Sequence, residues 1–342
     1  MQNKKFFKIQ NRRYLGNKYK LLPFIYDTIN KNCKDIKSIA DIFAGTGVFC
    51  SSFLDKEIIT NDILYSNYIC NYAWFGNKKI NIPLLYDIIE KYNAKKCDKK
   101  NYMTDNFAET FFSFNVCSKI GYIRENIEKL FNEKYINDRE RALLIMTLLY
   151  AMDKIANTCG HYDAYIRNAV LTDNLILDFP DIQNINNKKN KCYNMDANEL
   201  VKKISVDLVY IDPPYNSRQY CDAYHLLENV ARWDKPKVFG VAKKMDRSKL
   251  KSKYCTNEAK KSFTELIDNI NAKYIVLSYN NTGNKANERS NAKINDKDIL
   301  NILSNKGSVT IYEQNYKAFT TGKSHNHSNK ERLFICKVKT RK

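Results

Sequence analysis

The stretch Asp207-Leu-Val-Tyr-Ile-Asp-Pro-Pro-Tyr215 decides how the rest of the chain is read. Its apolar run, Leu208 to Ile211, has the content of a buried strand, and two consecutive prolines then stop any ladder and leave carbonyls unpaired at the strand end. Asp212, Pro213, Pro214 and Tyr215 therefore gather a carboxylate, a free carbonyl and an aromatic ring at one strand mouth. That combination suits an exocyclic amino group on a flat ring. The carboxylate and a proline carbonyl can accept its two N–H hydrogens while the tyrosine stacks on a base drawn out of its duplex. A tight loop carrying a core tyrosine is the alternative reading of the same four residues.

Composition points to the partner. Across 342 residues Lys+Arg number 57 against Asp+Glu 37, a formal charge of +20, and an excess of that size favours a polyanion, most often nucleic acid. No apolar run is long enough to span a bilayer, and Met1 to Lys8 lacks the apolar core of a secretory signal, so a cytoplasmic, nucleoid-associated protein is expected. The 10 cysteines occur singly, without a Cys-x-x-Cys pair, and read as reduced, buried hydrophobes. His325 and His327 flank one asparagine among only 4 histidines, so no metal is expected.

Upstream of the opening stretch, Arg12-Arg-Tyr-Leu-Gly-Asn-Lys18 forms a glycine turn feeding a helix through Leu22, Ile25 and Ile29. Ser38 to Phe43 reads as a strand that runs into Ala44-Gly-Thr-Gly47, with a helix expected through Val48, Phe49 and Phe53. Glycines at a strand-to-helix turn let a ligand approach the backbone and reach open N–H donors. Glu57 to Asp62 is a second strand ending in an acid, the usual partner of ribose hydroxyls in an α/β unit; standing alone, Asp62 would more often cap a helix.

From about residue 76 helical signals replace strand signals. Asn137 to Ala156 is the clearest, with Asn137 and Glu140 spaced as a capping box ahead of a broad apolar face. Ser118 to Glu125 and Asn157 to Asn168 mix amide, aromatic and basic side chains, the groups that read base edges. Arg124, Asn157, His161, Tyr162, Tyr165 and Arg167 are the candidates there. Strands resume at Lys191–Asp196, then at the Asp212 strand, Lys273–Tyr279, Ser308–Tyr312 and Arg332–Val338, with a helix over Glu258–Ile270. Alternation of strands and helices implies a mostly parallel sheet covered on both faces. The expected organisation is a catalytic domain from 1–75 and 191–342 with a helical, target-recognising insertion at 76–190.

In this order the motifs resemble the alpha-ordered, D12 class DNA adenine N6-methyltransferases. Tyr14-Leu-Gly-Asn-Lys18, Asp41-x-Phe-Ala-Gly-Thr-Gly47, Asp62, a helical insertion, Asp196 and Asp-Pro-Pro-Tyr215 carry the likeness, extended by Asn216 to Tyr220, Tyr224 to Trp233 and Ser278-Tyr-Asn-Asn281. Asn17 stands where some members have glycine or serine. The resemblance implies a Rossmann-like methyltransferase fold that uses S-adenosyl-L-methionine, without a metal, on double-stranded DNA. It also implies a restriction–modification setting in which a cognate restriction endonuclease encoded nearby is a candidate partner.

By the same likeness Lys18 and the turn Phe43, Ala44, Gly45, Thr46 and Gly47 hold the methionine part of the cofactor, Asp62 the ribose and Asp196 the cofactor adenine. Tyr14, Asp41 and Asp212 join that site. Arg218, together with Lys243, Lys244 and Arg247 in the basic run after the catalytic strand, is assigned to DNA. Cytosine N4 methylation, and a non-catalytic nucleic-acid-binding protein on the same fold, are the alternatives.

Overall fold

The structure is a computed structural model in which residues 9, 14–182, 187–280, 292–315 and 330–339 are described. Arg12, Arg13, Asn281, His325 and His327 lie outside them. Helix α1 (Leu22–Asn32) follows the first motif, and the strands β1 (Ser38–Asp41) and β2 (Glu57–Asn61) lead to α2 (Tyr65–Phe75). Four helices come next: α3 (Ile82–Ala94), α4 (Tyr102–Phe107), α5 (Phe114–Asn132) and α6 (Asp138–Ile155). The chain then returns to the sheet through β3 (Lys191–Tyr193), α7 (Ala197–Val201), β4 (Val206–Ile211), α8 (Tyr220–Ala223) and α9 (His225–Arg232). It closes with α10 (Ala259–Asn269), β5 (Ala272–Asn280), α11 (Asp296–Lys306), β6 (Gly307–Asn315) and β7 (Lys330–Val338).

These seven strands form a sheet in the order β3-β2-β1-β4-β5-β7-β6. Strands β1 to β5 pair in parallel, and β7 runs antiparallel between β5 and β6. This is the Rossmann-like methyltransferase arrangement, with helices on both faces. Side chains of β4 alternate between the faces: Leu208 and Tyr210 enter one core, Val209 and Ile211 the other, as the period of a strand requires. The first core continues through α2 into α5 and α6; α7, α10 and α11 cover the other face. Strand order reverses between β1 and β4, and a crevice opens beyond the carboxyl ends of strands at such a point.

Local signals in the sequence map onto these elements. The capping box of α6 is formed, Asn137 accepting from the Arg139 and Glu140 amides while Glu140 accepts from the Asn137 amide. The helix expected after Gly47 is instead a single 3₁₀ turn, Cys50–Ser52. Cys50, Ser51 and Ser52 are weak helix formers, and the Ser51 hydroxyl donates back to the Val48 carbonyl at 2.7 Å. Among the described residues, no helix is long and apolar enough to cross a membrane.

Candidate active site

The crevice between β1 and β4 is lined by Tyr14, Lys18, Asp41, Phe43, Ala44, Gly45, Thr46, Asp62, Asp196, Asp212 and Pro214. Motifs spread along the chain thus converge on one cleft. Gly47 stands behind the wall. Its φ is +78°, and a Cβ there would meet Asn71 Oδ1 at 2.4 Å, so only glycine fits.

The turn after β1 is tied to the end of β2. Asp62 accepts from the Gly45 amide at 2.9 Å and the Leu64 amide at 2.8 Å, and Asn67 Nδ2 donates to it at 3.1 Å. Asn71 donates to the Gly45 carbonyl at 3.0 Å. Burial pushes the Asp62 carboxyl up to about 6 against those donors. Asp41 is 2% exposed; burial, with Asp212 adding to it, raises its carboxyl well above the usual range. Its Oδ1 is buried and unpartnered among the described residues. An orphaned acceptor in the wall of a cleft, beside a glycine turn that lets a ligand reach the backbone, fits a ligand that brings a cationic amino group. Asp196 caps α7 by accepting from the Asn198 amide at 2.8 Å.

Asp212 follows β4, and Lys18 Nζ lies 3.2 Å from its Oδ1. The same ammonium is 3.0 Å from Oε1 of Glu331 on β7. Burial by itself would lower the Lys18 pKa, but Asp212 and then Glu331 raise it well above the ordinary value, so the ammonium stays charged. Burial pushes the Asp212 carboxyl up to about 6; Lys18 pulls it down and Glu331 pushes it up. A lysine shared between two acids cannot offset the full desolvation of either one. Pro213 and Pro214 have no N–H, and no backbone donor among the described residues reaches the Pro213 carbonyl. The Tyr215 ring meets Tyr279 edge-on, 5.7 Å between centroids, with Lys18 Nζ 6.0 Å from its centroid.

Residues that sequence reading left without a role hold the first motif in place. Tyr14 stacks on Tyr224 at 4.7 Å and on Tyr220 at 5.4 Å. The Tyr224 hydroxyl accepts from the Leu15 amide, and the Tyr220 hydroxyl donates to the Leu15 carbonyl. Tyr220 and Tyr224 were legible as part of a likeness, whereas Glu331 had no local signal.

The residues assigned to DNA divide. Arg124 and Tyr162 are corrected: neither reaches the surface. Arg124 is 0% exposed, donates to the Val230 and Ala231 carbonyls at the end of α9, and pairs with Glu128 at 2.7 Å. It ends a helix, since the last carbonyls of α9 need donors that α9 cannot supply. Tyr162, 1% exposed, donates its amide to the Ala223 carbonyl and its hydroxyl to Asp153. The Asn157 amide ties Thr110 to Ile166, Tyr165 packs edge-on against Phe111, and His161 Nδ1 is 3.4 Å from Asp163. Lys244 pairs with Asp163 at 2.7 Å and Arg247 with Asp222 at 2.6 Å. Arg167 and Arg218 are exposed and Lys243 is half-buried.

Comparison with known proteins agrees with this geometry. Residues 14–282 match the family described as D12 class N6 adenine-specific DNA methyltransferase. The chain is 35% identical over 309 residues to modification methylase StsI of Streptococcus sanguinis, covering 85% of this chain and 46% of that protein. It is 33% identical over 332 residues to type II methyltransferase M.FokI of Planomicrobium okeanokoites, covering 90% and 49%. The chain therefore spans about half the length of these relatives. Against type II methyltransferase M.NlaIII of Neisseria lactamica it is 31% identical over 328 residues, covering 93% of this chain and 95% of the relative. With the glycine turn, the paired acids and the Asp-Pro-Pro-Tyr strand end in one cleft, the chain belongs to the D12 class of N6 adenine-specific DNA methyltransferases.

Proposed function

We propose that the protein methylates the N6 amino group of adenine at a specific site in double-stranded DNA, as the modification enzyme of a restriction–modification system with S-adenosyl-L-methionine as methyl donor. The observation that carries this reading is that Asp212 and Pro214, just past the end of β4, line the same cleft as Phe43, Ala44, Gly45 and Thr46 of the glycine turn. The cofactor supplies an electrophilic methyl group when bound. Asp41, Lys18 and the Phe43–Gly47 turn hold its amino-acid end, Asp62 its ribose and Asp196 its adenine, with Tyr14 supporting the turn. Asp212 and the Pro213 carbonyl accept the two N–H bonds of the target amine, and so favour a pyramidal nitrogen whose lone pair faces the cleft. Tyr215 stacks on the extruded base. Positioning and the fixed acceptors then supply the rate, and no covalent enzyme intermediate is required.

DNA contact falls to Arg167, Arg218 and Lys243, with His161, Tyr165, Lys244 and Arg247 around them and the 76–190 segment as the recognition unit. A restriction endonuclease of the same system is the partner proposed for the protein. Asn157 contributes by fixing the loop that carries Arg167. The test is nucleoside analysis of duplex DNA incubated with protein and S-adenosyl-L-methionine. N6-methyladenine is expected; N4-methylcytosine as the product would overturn the assignment of base.

A further inference from the structure

Glu331 enters the cleft from the far end of the chain. Strand β7 is antiparallel to β5 and pairs Glu331 with Asn280, so the amino end of β7 lies beside the carboxyl ends of the parallel strands, where β4 delivers Asp212. The side chain is 4% exposed. Its Oε1 accepts from the Ser278 hydroxyl at 2.7 Å and from Lys18 Nζ at 3.0 Å. Lys18 is itself 8% exposed, and a charge that deep in the protein must keep an anionic partner.

We propose that Glu331 is a positioning residue for methyl transfer: by holding the Lys18 ammonium from the β7 side, it keeps one oxygen of Asp212 available to the target amine. This proposal rests on the functional reading above. An ammonium carries three donors, and with Asp212 as its sole anion it would settle across both carboxylate oxygens. Those are the oxygens the incoming amino group needs. With Glu331 present, Lys18 contacts Oδ1 at 3.2 Å, and no other hydrogen bond to Asp212 forms among the described residues. Charge also matters: Lys18, Glu331, Asp41, Tyr210, Tyr215 and Tyr220 all face Asp212, and Glu331 is the anion that shares its cation.

The test compares the 342-residue wild-type chain with Glu331→Gln, Glu331→Asp, Lys18→Met and the Glu331→Gln/Lys18→Met pair. The glutamine amide oxygen can still accept from Ser278 but carries no charge with which to draw Lys18 away from Asp212. At saturating S-adenosyl-L-methionine, Glu331→Gln is expected to lower kcat by about ten- to a hundredfold, the range set by small misplacement of reacting groups, with duplex affinity held within about twofold. Its acid limb of kcat should move to lower pH, because Asp212 loses a neighbouring negative charge and gains a closer ammonium. Glu331→Asp keeps the charge at shorter reach and should show a smaller loss in the same direction. In the Lys18→Met background the Glu331→Gln change should cost nothing further. Wild-type kcat and pH profile in both Glu331 variants would overturn the proposal, as would a Glu331→Gln loss that persists in full without Lys18 or that tracks lost cofactor affinity. A wild-type protein that methylates no duplex would overturn the functional reading itself, and the proposal with it.

Discussion

Asp212 accepts hydrogen bonds from an amine most strongly while ionised, and its environment makes ionisation costly. With burial holding its carboxyl at about 6, kcat on a saturating duplex should fall as pH drops through 6, one proton inactivating the site. An acid limb below pH 5 would mean another group controls the profile. The stability effect has the opposite sign. Because the folded pKa lies above the unfolded value of about 4, Asp212 and Asp62 subtract stability as pH rises from about 4 to about 6. Asp207, whose carboxyl is held down to about 2 against its own desolvation by Lys273 and the Lys37 and Ser38 amides, contributes stability above its ordinary pKa and loses it as pH falls through 2. On the proposed reading Tyr215 acts through its ring. Tyr215→Phe should retain most activity, while Tyr215→Ala should forfeit stacking of about 1–3 kcal/mol. A fluorescent adenine analogue at the target position should brighten with wild-type protein and much less with the alanine variant; equal brightening would remove Tyr215 from base capture.

Arg124 belongs to the joint between α5 and α9 and should be tested there. Arg124→Ala strips the α9 carboxyl end of its donors and leaves Glu128 with Arg141 alone; a loss of about 3 kcal/mol in urea unfolding is expected, with the methylated sequence unchanged. A shift in site preference at full stability would restore Arg124 as a base reader. The glycine turn has its own test. Gly47→Ala drives a Cβ into Asn71 and should weaken S-adenosyl-L-methionine binding at least about fivefold, as a side chain held at a positive φ costs about 1 kcal/mol or more; calorimetric titration reads it. These elements also mark what the sequence could reveal. The strands around Asp41 and Asp212 and the α6 cap were legible because their signals are local. Arg124 was open to a better reading, since Ile120, Arg124 and Ile127 share one helix face and both isoleucines are buried. The pairing of Lys18 with Glu331 was not, because a lysine ahead of a helical turn and a glutamate at a strand start each look solvated until the fold brings them together inside.

Taken as a whole molecule, the protein carries +20 of formal charge, and part of it is already engaged. Lys244 and Arg247 are paired with acids, whereas Arg167, Arg218 and Lys243 form no ion pair among the described residues. Neutralising those three together should weaken specific and random duplexes by similar factors and reduce the salt slope by about 3. The double variant at Lys244 and Arg247 should change that slope less; equal changes would show that DNA displaces Asp163 and Asp222 from their partners. The antiparallel β7 has a consequence in time. During synthesis Lys18 leaves the ribosome 313 residues ahead of Glu331, and β7 must enter the sheet between β5 and β6, both made before it. Until that late strand pairs, Asp212 faces Lys18 without Glu331. A growing chain is therefore expected to lack the arrangement of acceptors proposed for transfer until β7 is placed.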